Sequence, residues 1–174
     1  MKKPIHLYIF VVLSSIATIM RLFGAFVPTF DEANVRSLFQ GMENTIDIEE
    51  TITVLRETAA LSTNGINKAI AIISLLVLIG AIVFLFQKKN ELASYTYLGY
   101  LFVAFLFNTY NYIASKNLFL LYSDELVRQT SDGTALGSYI VNIVIFAVYV
   151  GVTAFFLLRK PKEKPSTAIN STDI

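Results

Sequence analysis

Apolar residues run together in four long blocks along the chain, at 5–27, 69–87, 92–114 and 138–158, separated by stretches where charge and turn residues gather. Each block approaches the roughly 20 residues a helix needs to cross about 30 Å of hydrocarbon. None alternates with period two as a barrel strand does, and lipid offers the backbone no hydrogen-bond partner. The blocks therefore predict an all-α integral membrane protein, a bundle of four transmembrane helices.

The stretches between the blocks supply the remaining elements. Residues 28–68 are too long for a turn. Within them Thr29 with Glu32 fits a capping box, Gly41 can stop a short helix, and Asn64 with Gly65 can end a second. Ile48, Ile52, Leu55 and Ala59 recur at helical spacing, while "TIDIEETITV" also alternates as a strand would; the helix is the better match. Residues 115–137 open apolar, with an interfacial helix expected before "SDGTALG" turns the chain. Residues 88–91 make a short turn, and 159–174, rich in Lys, Pro, Ser and Thr, form a tail expected to stay disordered.

Composition agrees with a membrane protein: 55% of residues are hydrophobic and 16% charged. The net charge of +1 conceals a segregation along the chain. Lys2 and Lys3, Lys88 and Lys89, and Arg159, Lys160, Lys162 and Lys164 fall in regions that four crossings place on one side. Both termini, residues 1–4 and the tail, are thus expected in the cytoplasm, with the plasma membrane as location. An uncleaved first helix is expected, since residues 23–25, Phe-Gly-Ala, make a poor signal-peptide cleavage site. The glycosylation pattern at Asn170 falls on the cytoplasmic side. The AT-rich flavour of frequent Ile, Phe, Asn and Lys points to a bacterial source.

Polar residues inside the blocks are the candidate chemistry. Ser94, Tyr97, Leu101, Ala104, Asn108, Asn111 and Ser115 share a stripe at alternating steps of three and four, and Ser14, Ala17, Arg21 and Gly24 share another. Counting depth from the outer ends places Arg21, Asn108, Asn111 and Asn142 in one layer, with Asn67 and Lys68 above it. The ligand- or partner-binding candidates are therefore Arg21, Asn108, Asn111, Tyr112 and Asn142. Interhelical hydrogen bonding and snorkelling of Arg21 toward Asp31 or Glu32 would explain the same pattern without a ligand. Tyr95, Tyr97, Tyr100, Tyr110, Tyr112 and Tyr122 fit interfacial belts, and Ala147 with Gly151 forms a small-xxx-small pair. Glu43, Asp47, Glu49, Glu50 and Glu57 give an acidic outer face.

Several classes are excluded. With no cysteine, thiolate metal sites and dithiol chemistry are absent. His6 is the lone histidine, no Asp or Glu falls within the four blocks, and Ser14, Ser15 and Ser74 have no adjacent base. No enzyme, cofactor, metal or nucleic-acid partner is expected. The layout resembles that of tetraspan families such as claudins in topology alone, because their outer-loop tryptophan and paired cysteines are missing, and no family follows from it. The leading expectation is a non-enzymatic membrane protein that binds the bilayer and a partner, either another membrane protein or a second copy, through its outer loop and helix faces: an accessory subunit, an envelope-assembly factor or an immunity-type protector. The alternative is a small oligomeric transporter or lipid- or solute-binding protein with an outward-facing polar pocket at Arg21.

Overall fold

The structure, a computed structural model, describes residues 5–27, 30–41 and 47–159. These form six helices and, among the described residues, no strand: α1 (Ile5–Phe26), α2 (Glu32–Leu38), α3 (Ile48–Ser62), α4 (Gly65–Phe86), α5 (Asn90–Phe119) and α6 (Glu125–Leu158). Among them α1, α4 and α6 are long and apolar enough to cross a membrane. The block at 92–114 lies inside α5, whose tyrosines and asparagines dilute its apolar character. The basic residues at 1–4, Thr29, Glu43 and the tail from 160 onward lie outside the described residues.

The long helices alternate in direction, so Lys88, Lys89 and Arg159 share one end, here the basic end, and α2 and α3 cap the other as a head. In α4 the buried residues Asn67, Ala71, Ser74, Leu78, Ala81 and Leu85 recur at steps of four and three. That stripe is narrow and rich in small residues, which lets neighbours come close. Thus α4 packs between α1 and α5, and α6 packs on α5 and also touches α1. A methyl added at Gly80 would stand 3.4 Å from Thr96 Cγ2, which marks the close α4–α5 approach. The apolar core comprises Leu7, Val11, Leu78, Ala81, Leu85, Ala93, Tyr97, Tyr100 and Leu101.

The α4–α5 turn is set by local backbone chemistry. Lys88 N–H donates to Leu85 O and Lys89 N–H to Phe84 O, each at 3.0 Å, the two bonds of a Schellman ending. This ending needs a left-handed residue, and Lys88 supplies it at φ +60° where glycine is the usual choice. The tight reversal forces α5 to return beside α4.

Three local expectations are corrected. Asp31, not Thr29, caps α2, accepting from Ala33 N–H at 3.0 Å. Asn64 does not end α3, which closes at Ser62 on Thr63; its side chain accepts from Asn67 N–H at 2.8 Å and so starts α4. The turn expected at "SDGTALG" is also absent, because Asp124 caps α6 by accepting from Leu126 and Val127 N–H, and helix then continues through Gly133 and Gly137. Each helical glycine costs about 1 kcal/mol relative to alanine. Contacts with α5 along this length offset it: Lys116 lies 3.6 Å from Asp132, and Tyr112 stacks on Tyr139 at 4.5 Å between ring centres.

The head is knitted by charge. Arg36 bridges Glu32 (2.9 Å) and Glu49 (2.5 Å), and Arg56 joins Glu32. Beneath these exposed pairs Ile52 and Val54 are buried. Glu50 accepts from Ser123 N–H at 2.9 Å and from the Ser123 hydroxyl, tying α3 to the α5–α6 turn.

Candidate functional site

Arg21 does not reach out to the head carboxylates. Its Nη1 donates to Ser74 Oγ on α4 at 3.1 Å, and its guanidinium lies over the Phe107 ring of α5, 4.2 Å from the centroid. Depth can be measured from the Phe26–Lys68 contact, where the ammonium stands 5.9 Å from the ring centre. Arg21 is five residues from Phe26 and Ser74 six from Lys68, so both lie about 8 Å toward the basic end at 1.5 Å per residue. The side chain is half-buried. Aspartate and glutamate are absent from blocks 5–27, 69–87, 92–114 and 138–158, and the head carboxylates Glu32, Glu49 and Glu50 are occupied by Arg36, Arg56 and Ser123.

Asn111 is engaged elsewhere. Asn67 Nδ2 donates to Asn111 Oδ1 at 2.9 Å while Asn111 Nδ2 donates to Asn67 Oδ1 at 3.0 Å, a reciprocal amide pair joining α4 to α5. The spare amide hydrogens go to Leu61 O and Phe107 O. Beside the pair, Asn64 Nδ2 donates to the Tyr110 hydroxyl at 2.9 Å. Asn67, 1% exposed, is the centre of this knot, which closes the bundle beneath the head.

The other candidates divide. Tyr112 stacks on Tyr139, whose hydroxyl is 3.0 Å from Thr109 Oγ1, so it belongs to the α5–α6 seam. Asn108 is half-buried and has no side-chain hydrogen bond among the described residues. Asn142 is exposed and donates to Ser138 O one turn back along its own helix. No contact joins Asn142 to Arg21. The expected single layer is thus split: Asn111 pairs toward α4, whereas Asn108 and Asn142 keep unused hydrogen-bonding capacity.

Much of the acidic outer face is tied into the head while staying at its surface. Asp47 caps α3 by accepting from Glu50 N–H, Glu49 pairs with Arg36, and Glu50 holds Ser123, while Asp47, Glu49 and Glu57 are all exposed. Hydrogen bonds from Arg36 and then Arg56 hold the Glu32 carboxyl below its ordinary range, and Arg36 does the same to Glu49. Burial first, and then the charge of Glu50, pushes the Tyr122 phenol up. Among the described residues no group of three or more His, Asp or Glu is placed to hold a metal ion.

Two residues read from sequence as interfacial anchors are instead core polar contacts. Tyr97 OH is 2.9 Å from Ser14 Oγ and Tyr100 OH is 3.0 Å from Thr18 Oγ1, with both rings buried. The available signal was the matched spacing: Ser14 and Thr18 lie one turn apart on α1, as do Tyr97 and Tyr100 on α5. His6 stacks on Phe156 at 4.0 Å, and Phe10 stacks on Tyr149 at 4.3 Å, joining α1 to α6 near the basic end.

A family described as a domain of unknown function matches residues 1–166. No curated protein and no solved structure matches the chain.

Proposed function

Since the chain belongs to the family described as Domain of unknown function (DUF8777), a membership that brings no activity with it, we propose a role from the chain's own geometry: a non-enzymatic integral membrane protein with four crossings that binds a companion membrane protein. The crossings are α1, α4, the 92–114 portion of α5, and α6. What supports α5 as the fourth is that Tyr97, Tyr100 and Asn111 spend their polar atoms on α1 and α4 rather than on solvent. A polar residue satisfied inside a bundle is compatible with a hydrocarbon surround. By the positive-inside tendency, Lys88, Lys89 and Arg159 support an orientation with the basic end at the cytoplasmic face of the plasma membrane and the head outside.

One observation carries the companion. At the α5–α6 turn Leu120, Leu121 and Leu126 are 67%, 45% and 73% exposed. Leu120 lies nine residues beyond Asn111, about 13 Å past the amide knot at helical rise, where side chains meet water or headgroups. An apolar cluster held up there by the Glu50–Ser123 tie fits the apolar extramembrane surface of another membrane protein. An accessory subunit, an envelope-assembly factor or an immunity-type protector would each work through such a contact.

The test pairs capture with a variant. Pulldown in native detergent recovers one companion in stoichiometric amount, and Leu120→Glu with Leu126→Glu lowers its recovery at least about 10-fold, as loss of an apolar anchor does. Equal recovery with the variant, or no companion at all, overturns the reading. Crossings are checked separately in a chain without cysteine: an impermeant maleimide labels Glu57→Cys from outside and Lys89→Cys only after permeabilisation.

A second reading, a lipid- or solute-binding protein or small transporter, is favoured by Arg21, a half-buried cation whose hydrogen-bonded partner is a neutral serine.

A further inference from the structure

The α1 stripe that stacks on α6 near the basic end continues toward the head without meeting it again. Phe10 meets Tyr149 there, and helix positions seven apart share a face. The next opposed pair is therefore Ala17 on α1 and Asn142 on α6. Both are exposed. Had the helices stayed together, each would be covered, so α1 and α6 diverge toward the head and leave a wedge between them that opens sideways.

Polar residues from three helices lie around this wedge. Arg21 stands one turn beyond Ala17 on α1, with its guanidinium turned inward over Phe107 and Nη1 on Ser74, and Asn142 stands on α6. Asn108 forms the floor: on a helix of 3.6 residues per turn it sits about 20° from Tyr97, which reaches α1, and about 40–60° from Tyr112 and Phe105, which reach α6. A guanidinium has five N–H donors, and here Nη1 uses one on Ser74. Asn142 Nδ2 gives one hydrogen to Ser138 O, and Asn108 gives none to another described residue.

The negative charge that would balance Arg21 is not supplied by the spans, and the nearer head carboxylates are occupied. Arginine grips a phosphate with paired N–H donors, and neutral carboxamides add hydrogen bonds without altering the charge balance. The opening points toward hydrocarbon and is bordered by exposed Leu13, Met20 and Ile145, an apolar rim suited to acyl chains. We propose that the wedge holds the phosphate oxyanion of a membrane lipid, gripped by Arg21 with Asn108 and Asn142 as further donors, its acyl chains leaving between α1 and α6. This deepens the second reading above and rests on the four-crossing arrangement.

The test uses the full chain in a neutral detergent with native mass spectrometry. The probes are phosphatidic acid, diacylglycerol carrying the same acyl chains, and inorganic phosphate. One phosphatidic acid is retained per chain, diacylglycerol is not, and inorganic phosphate at matched concentration does not displace the lipid. Arg21→Gln weakens retention about 10- to 100-fold, the range for losing a charged hydrogen-bond partner, and Arg21→Lys restores part of it. Asn142→Leu weakens it about 3- to 10-fold with the melting temperature unchanged, because this exposed side chain packs on no neighbouring helix. Equal retention of diacylglycerol, displacement by inorganic phosphate, or full retention by both Arg21→Gln and Asn142→Leu overturns the site. Failure of the unaltered chain to retain phosphatidic acid, with Glu57→Cys and Lys89→Cys still labelled from opposite sides, sinks the lipid site alone; labelling of both from one side sinks the four-crossing arrangement.

Discussion

Replacing Asn67 with alanine strikes a point where head, α4 and α5 are tied together. The substitution removes the amide bond to Leu61 O and both bonds of the reciprocal pair with Asn111. At about 0.6–1 kcal/mol for each interhelical hydrogen bond, the loss comes to about 2–3 kcal/mol, and a buried Asn111 carboxamide left without its partner adds to it. Asn111→Ala breaks the same pair from the other side. The double variant is then less damaging than the two single effects combined, by about 1–2 kcal/mol, because neither amide is stranded. The assay is equilibrium unfolding in mixed micelles, read as a double-mutant cycle. Effects that add to within about 0.5 kcal/mol would show that the pair is not energetically coupled, and the reasoning from geometry to stability would fail.

Three further outcomes follow from particular residues. Lys88→Gly relieves a left-handed backbone position and raises stability by about 1 kcal/mol in the same unfolding assay. Thr153 Oγ1 is buried without a hydrogen-bond partner among the described residues, so Thr153→Val, which replaces an unpaired hydroxyl with a methyl of the same shape, is stabilising by about 1 kcal/mol. For the head, Glu32 and Glu49 are held below their ordinary range by Arg36 and Arg56, so their contribution is complete above the unfolded carboxylate value and is lost as pH falls through the depressed folded values. Amide exchange in α2 therefore speeds up under acid relative to neutral pH, after correction for intrinsic rates, and Arg36→Gln flattens that dependence.

How much of this was legible beforehand differs from one element to the next. Helix caps are partly readable: Asp31, Asp47, Asn64 and Asp124 are all typical capping types, yet Asn64 reads as the end of α3 and in fact starts α4, since an Asn-Gly pair serves equally as a stop or a start. Gly133 and Gly137 read as a turn in the sequence but lie inside α6. Their propensity for turns is overridden by contacts with α5 that no local window contains. Tyr97 and Tyr100 differ from the sequence reading for a similar reason, because a tyrosine near the end of an apolar run looks like an anchor, whereas Ser14 and Thr18 stand opposite it in the fold.

The sequence by itself determined the helical character of the chain, its apolar blocks, the shared face of Ser14, Ala17, Arg21 and Gly24, and the presence of one cation and several carboxamides among hydrocarbon residues. These properties reside in spacing within a single helix, where 3.6 residues per turn dictates which side chains share a face. Only the tertiary structure decided that Asn111 pairs with Asn67, that Arg21 turns to Ser74 and Phe107, and that Asn108 and Asn142 are left with donors to spare. Those choices depend on register and on where two helices part. Both are set by packing between segments far apart in the chain, for which periodicity holds no information.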